Sequence, residues 1–364
     1  MKITQVKNLL LPSLLFFYSA STSALTLFDI EPSKTKLELT SSMRVNISGS
    51  STRTEYADNS VQRTRQSPAF TNDSSRFGFK LTQELGDGIY TVGNVEWRFR
   101  GTSDSRHNFD DIYTRQLNAG FGHKKYGELL YGNILSIADE IRRTDLANDL
   151  TISYPLLPAL QRRILQYTHT INNWRFGVFY GGKSKRNSLG LDLTNKRKNV
   201  WGGGIVYTHK FNEFNSTKIA FGMIREQFYN PQTNQTTYSM GGSYTYRSTT
   251  IGLDLEQRRT KNRTSINDKR LENDMRLVLV QQLNPDWRLY GQYGRNLNKL
   301  QSQLSDSTRE TGHRYTVGID YFVIPQYVKL FTEFRQDYRK HYVNQTFQRK
   351  TKENTTAVGM RIYW

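Results

Sequence analysis

Sixteen segments of roughly ten residues alternate apolar with polar side chains along this chain, from 35–49 to 354–364. Between them lie 75–85, 89–100, 112–122, 127–134, 161–171, 174–182, 199–211, 217–228, 236–246, 250–259, 272–283, 287–297, 312–323 and 327–338. A period of two puts successive side chains on opposite faces of a strand. The connections fall into two sets. One set is short and built from turn formers, such as Gly86-Asp87-Gly88, Asn172-Asn173 and "NPD" at 284–286. The other is longer and polar. An even number of antiparallel strands with short turns at one end and long loops at the other can close on itself and leave no edge unpaired.

Composition decides between a barrel and a soluble sandwich. Hydrophobic residues make up 36% of the 364, and the mean hydropathy is −0.69. A sandwich needs two apolar inner faces, and this chain is too poor in aliphatic residues to supply them. Aromatics are plentiful, with 22 Tyr and 19 Phe. In 75–85 the set Phe77, Phe79, Leu81 and Leu85 opposes Arg76, Lys80, Thr82 and Glu84. In 89–100 the set Val95, Trp97 and Phe99 opposes Glu96, Arg98 and Arg100. An apolar outside and a charged, watery inside account for a hydrophilic composition in a membrane-spanning barrel. One segment resists the scheme: in 112–122, Arg115 shares parity with Leu117, Ala119 and Phe121. Such a wall suits protein on both sides, an inserted loop within and a neighbouring subunit without.

The start of the chain reads as an export signal. Lys2 and Lys7 precede the apolar stretch Leu9 to Ala20, and Thr22 to Ala24 offers small residues for cleavage before Leu25. Residues 1–24 are therefore assigned to a signal peptide and 25–364 to the barrel. Removing the two lysines lowers the formal charge from +19 to +17. Cysteine is absent, which excludes disulfides and thiolate chemistry. No later apolar run reaches the 18 residues of a membrane helix. The six histidines show no H-E-x-x-H spacing and there is no G-x-S-x-G elbow, so neither an enzyme nor a metal or other cofactor is called for. No nucleic-acid recognition motif accompanies the basic stretches.

"SRFGFKLTQELGDGIYTVGNVEWRF" (Ser75 to Phe99) and "YTRQLNAGFGHKKYGELLYGN" (Tyr113 to Asn133) resemble the second to fifth strands of the trimeric general porins of Gram-negative outer membranes. As a layout the resemblance covers all of 25–364; as a motif it is specific over about Arg76 to Asp149. It implies an all-β, 16-stranded antiparallel transmembrane barrel with short periplasmic turns, long external loops and a third loop folded into the lumen. That loop would be 135–160, carrying Asp139, Glu140, Asp145 and Asp149. The family sets a basic wall opposite. Arg76 and Arg115 match its pattern, Lys80 follows at its spacing, and Arg44 and Arg162 are placed by position. Three departures stand out: Asn133 replaces an Arg, the Pro-Glu-Phe-Gly-Gly turn is missing where Arg142 and Arg143 lie, and the chain ends on Trp364.

The function implied is passive diffusion of small hydrophilic solutes and ions through an outer-membrane homotrimer. Acids facing bases would set a transverse field across the lumen. A substrate-selective anion or sugar-acid channel is the alternative on the same barrel, and a surface scaffold or adhesin the third reading. The stretches Lys183 to Lys198 and Arg339 to Glu353 are expected to be external loops that pair with lipopolysaccharide phosphates. The final "TAVGMRIYW" would seal the barrel against 35–49, with Val358, Met360, Ile362 and Trp364 toward lipid. Its aromatic end resembles the tag read by barrel-assembly machinery.

Overall fold

A computed structural model of the chain describes residues 24–31, 33–99, 112–151, 155–187, 192–229, 232–262, 268–303 and 305–364. The expected leader lies almost wholly outside them. In chain order the strands are β1 (Ala24–Ile30), β2 (Thr35–Tyr56), β3 (Val61–Asn72), β4 (Arg76–Gly86), β5 (Ile89–Phe99), β6 (Ile112–His123), β7 (Gly127–Leu135), β8 (Leu160–Ile171), β9 (Trp174–Gly181), β10 (Ser184–Arg186), β11 (Asp192–Lys210), β12 (Asn215–Phe228), β13 (Thr233–Tyr246), β14 (Thr249–Asn262), β15 (Lys269–Gln282), β16 (Trp287–Gln301), β17 (Thr308–Ile324), β18 (Val328–Val343) and β19 (Thr346–Tyr363). All pairings between them are antiparallel.

These nineteen strands make sixteen staves. β3 and β4 share one, because β3 pairs with the second half of β2 and β4 with its first half. β10 continues β9 along β11. β1 folds back onto the start of β2, beyond the point where β19 stops. The sheet closes where β19 pairs with β2, from Tyr363 opposite Ser42 to Arg349 opposite Tyr56. Around this circuit each stave has a neighbour on both sides, while β1 and β3 pair only with β2 among the described residues. The stave made of β3 and β4 breaks at residues 73–75. Pro68 sits at an irregularity opposite Gly49, where a missing N–H costs the ladder nothing.

The two faces are inverted relative to a water-soluble protein. Leu117, Val317 and Val358 are more than half exposed on the outside, whereas Asp254, Arg276, Asp320 and Glu333 are fully buried within. The side chains turned outward are those that lipid tolerates, and the charges point to the lumen. Near the short turns the outer face carries aromatic clusters. Trp174 lies 4.5 Å from Tyr207 and Trp287 lies 4.6 Å from Tyr321, ring centre to ring centre. Amphipathic rings favour the boundary between lipid and water.

Several strands run further than the alternation predicts. β18 and β19 continue to a two-residue turn at Asn344-Gln345, both left-handed at φ 48° and 69° as a tight hairpin requires. The expected loop Arg339 to Glu353 is therefore strand and turn. Much of Lys183 to Lys198 is likewise strand, in β10 and β11. β2 and β3 also meet in a tight turn, where Asp58 Oδ1 accepts from the Ser60 amide at 2.9 Å. The reason is common to all three. Above the membrane both faces of a strand meet water, so the apolar half of the alternation disappears while the ladder goes on.

The difficulty in β6 is resolved by a bulge. Glu96 faces Gln116, but Trp97 faces Thr114, so Arg115 is the extra residue. The insertion flips parity at that point. Leu117, Ala119 and Phe121 then point outward, while Gln116, Asn118 and Arg115 turn to the lumen. The outer face of this wall is therefore apolar.

Candidate functional site

The long connection between β7 and β8 enters the barrel and runs along its inner wall. It begins with a short 3-10 turn, Ile137–Glu140. Ile137, Ala138, Ile141 and Leu157 pack with Ile164, Phe179, Val200, Val206, Ala220 and Ile224 in the principal apolar cluster of the described residues. The wall makes room with glycines on neighbouring staves. A Cβ on Gly177 would come 2.9 Å from Ile137, on Gly204 2.8 Å from Ile141, and on Gly222 2.9 Å from Ile141. On Gly241 and Gly252 it would strike the backbone of Ile141 and Arg143. These five residues form a groove in which the connection lies flush.

Beyond the groove, buried carboxylates hold the connection by its backbone. Asp254 accepts from the amides of Arg143, at 2.8 Å, and Thr144, at 3.0 Å. Glu256 accepts from the Leu156 amide. Glu333 accepts from three successive amides, Asn148 at 2.6 Å, Asp149 at 2.9 Å and Leu150 at 2.7 Å, and from the Tyr290 hydroxyl. Asn148 donates its side-chain amide to Asp320, 2.7 Å away, and its carbonyl accepts from Arg361. Such charge-assisted bonds are the strong ones. They carry the tip across to β18 and β19, so the carboxylates on this side of the wall are spent on the connection rather than offered to the pore.

What remains open is a cavity of about 1310 Å³ between the connection and the wall formed by β19, β2, β4, β5 and β6, reaching to the short turns at Pro285 and Pro325. Eleven Arg or Lys side chains line it against five carboxylates, Asp73, Glu96, Asp139, Glu140 and Asp145. Each of the five has a guanidinium partner. Glu96 meets Arg98 at 2.9 Å and Arg115 at 3.0 Å, and Asp73 meets Arg361. On the connection, Arg142 lies 3.5 Å from Asp139 and 3.7 Å from Asp145. Glu140 pairs with Arg175 at 2.8 Å. Burial pulls the Arg143 guanidinium below its ordinary range, opposed by Asp254, Glu140 and Asp139. The sign of the lining is therefore positive, with the acids neutralised on their own side of the lumen.

The residues expected from sequence divide accordingly. Asp139, Glu140 and Asp145 line the cavity, as do Arg44, Arg76 and Arg115. Asp149 does not, because at the tip the backbone turns its amide toward Glu333. Lys80 shares the lumen face of β4 with Arg76 but sits four residues nearer the short turns, outside the cavity. Arg162 is also outside it: a register shift in β8 lets its guanidinium reach the carbonyls of Asn187 and Thr114, where it braces backbone. Sequence reasoning missed Arg98, Arg288, Lys329 and Arg361 in the lining and Asp254, Asp320 and Glu333 as anchors. All seven lie on the lumen parity of their strands; their partners, up to 288 residues away, were invisible.

Comparison with known proteins gives a consistent frame. A family model described as "Gram-negative porin" matches residues 14–341. The major outer membrane protein of Pasteurella multocida strain Pm70 is 26% identical over 116 residues, which span 30% of this chain and 33% of that protein. The chain thus matches about a third of the length of its curated relatives. Among solved structures, the anion-selective porin of Comamonas acidovorans superposes with a TM-score of 0.67 at 14% identity, covering 91% of this chain and 100% of that one. The trimer form of in-vitro folded OmpT, an outer membrane protein of Vibrio cholerae, superposes with a TM-score of 0.65 at 14% identity, covering 91% and 99%.

Proposed function

Because the chain belongs to the Gram-negative porin family, we propose that it forms an outer-membrane channel for passive diffusion of small hydrophilic solutes, with a preference for anions. The supporting observation is the cavity, whose lining holds eleven cations against five carboxylates, each of those already paired. A narrow, low-dielectric passage concentrates ions opposite in sign to its walls. Solutes lacking charge would pass on size alone. The short turns then face the periplasm and the long connections the exterior.

The test is the reversal potential of the purified protein in planar bilayers under a potassium chloride gradient. A potential of the sign set by chloride supports the proposal, a cation-selective potential refutes the preference, and no conductance refutes the channel. The last outcome would leave a surface scaffold as the reading of the barrel.

The assembly is part of the same proposal. A homotrimer accords with the trimer form recorded for the Vibrio cholerae protein. Cleavage after Ala24, recognition of the aromatic end by barrel-assembly machinery, and pairing of lipopolysaccharide phosphates with Lys340, Lys350 and Lys352 on the β18–β19 hairpin complete it.

A further inference from the structure

Three cations stand side by side on consecutive staves just below the tip of the inserted connection. Lys329 on β18 is directly opposite Arg361 on β19, and Arg361 is directly opposite Arg44 on β2. All three are more than nine-tenths buried or at that limit, at 7%, 7% and 9% exposure. Like charges placed directly opposite repel, and burial sharpens the repulsion. Two acids serve this row. Asp320 takes Arg288 of β16 and stands 3.6 Å from Lys329, and Asp73 takes Arg361. Among the described residues no carboxylate lies within ion-pair distance of Arg44, whose Nε donates to the Ser42 hydroxyl at 3.1 Å. The same hydroxyl accepts from Arg76 Nε at 3.3 Å, so it steadies two guanidinium groups at once. The Nε of Arg361 is buried with no acceptor. Four cations stand against the ion-paired Asp320 and Asp73 and the more distant Glu333, so positive charge is in excess, and all four cations line the cavity.

We propose that Arg44, Lys329 and Arg361, backed by Arg288, form a binding site for a small doubly charged oxyanion on the periplasmic side of the constriction. The site rests on the channel reading above and adds a solute class to it. An excess of closely set cations suits a multiply charged anion, and planar guanidinium forks match paired oxygens. A dianion here would replace cation repulsion with attraction.

Inorganic phosphate is the probe. The full-length protein is reconstituted in planar bilayers in chloride, and phosphate is titrated at constant ionic strength. The chloride current should fall along a saturating curve. Loss of one charge-assisted contact in Lys329→Gln should raise the half-blocking phosphate concentration about tenfold or more. Arg44→Gln should do the same; it orphans no carboxylate and so keeps the test alive if Lys329→Gln fails to assemble. Lys329→Arg should restore the block, and Lys80→Gln, which removes a lumen cation outside the cavity, should leave it unmoved. A decline without saturation overturns the site, as does a Lys80→Gln effect as large as that of Lys329→Gln. An anion-selective channel without saturable block would defeat this site alone, whereas absent conductance or cation selectivity would defeat the reading beneath it.

Discussion

Replacing Glu333 by Gln should release the tip of the inserted connection while leaving the barrel standing. The carboxylate accepts three backbone amides at 2.6, 2.9 and 2.7 Å together with a tyrosine hydroxyl, and it is fully buried. A hydrogen bond to a charged group contributes about 1.5–3 kcal/mol and a neutral one about 0.5–1.5, so neutralising the acceptor of three costs about 3 kcal/mol. The new amide also presents a donor to donors. At least one amide is stranded, at about 1–3 kcal/mol more. A loss near 5 kcal/mol is enough to carry a two-state element from almost wholly docked to almost wholly free. Asp254 and Gln292 still hold the connection at Thr144, so its root should stay in place. The expected record is a noisier open channel with frequent sub-conductance steps, at unchanged strand content by circular dichroism. Glu333→Asp, with its charge kept but its oxygens withdrawn by one methylene, should fall between. A Glu333→Gln channel as quiet as the parent would show that this carboxylate does not hold the tip.

Three further outcomes follow from the same geometry. Neutralising Asp139, Glu140, Asp145 and Asp149 together should shift the reversal potential further toward anions, chiefly by freeing Arg142 and Arg175; an unchanged potential would place those pairs outside the ion path. Gly222→Val would drive a side chain into Ile141 and Leu157, overpacking by about 1–3 kcal/mol, and should alter unitary conductance before it alters barrel unfolding. Leu277→Arg, on the outer face of β15, should destabilise the barrel in lipid by about 2–4 kcal/mol, read from denaturant unfolding in vesicles. A cost near zero there would mean that Leu277 does not face hydrocarbon.

The number of staves was legible because lipid imposes an alternation, and only there. Phe77, Phe79 and Leu81 announce a lipid face whatever lies across the lumen. Strand length was not legible where both faces are wet, which is why Arg339 to Glu353 reads as a loop and folds as a hairpin. Arg115 was legible as a pore residue only by resemblance. Its parity pointed to lipid, and a one-residue bulge, which leaves no local signature, turned it inward.

The charges of the site separate along the same line. The alternation determines which residues see the lumen, since parity is a local property of a strand: Arg44, Arg76, Lys329, Glu333 and Arg361 all lie on the inner face. Which of them meet the pore, and which are spent on structure, depends on residues far away in the chain. Asp254 and Glu333 are acids on a lumen face like any other until the connection from β7 to β8 lays its amides against them. Asp149 is an acid on the inserted connection that ends up out of the passage for the same reason. The row Lys329, Arg361 and Arg44 exists only because closure brings β19 between β18 and β2 in that register. The chain's local chemistry thus determines a barrel with a charged interior. The sign of its passage is decided by closure and by the inserted connection, because both join groups that no short stretch of sequence holds together.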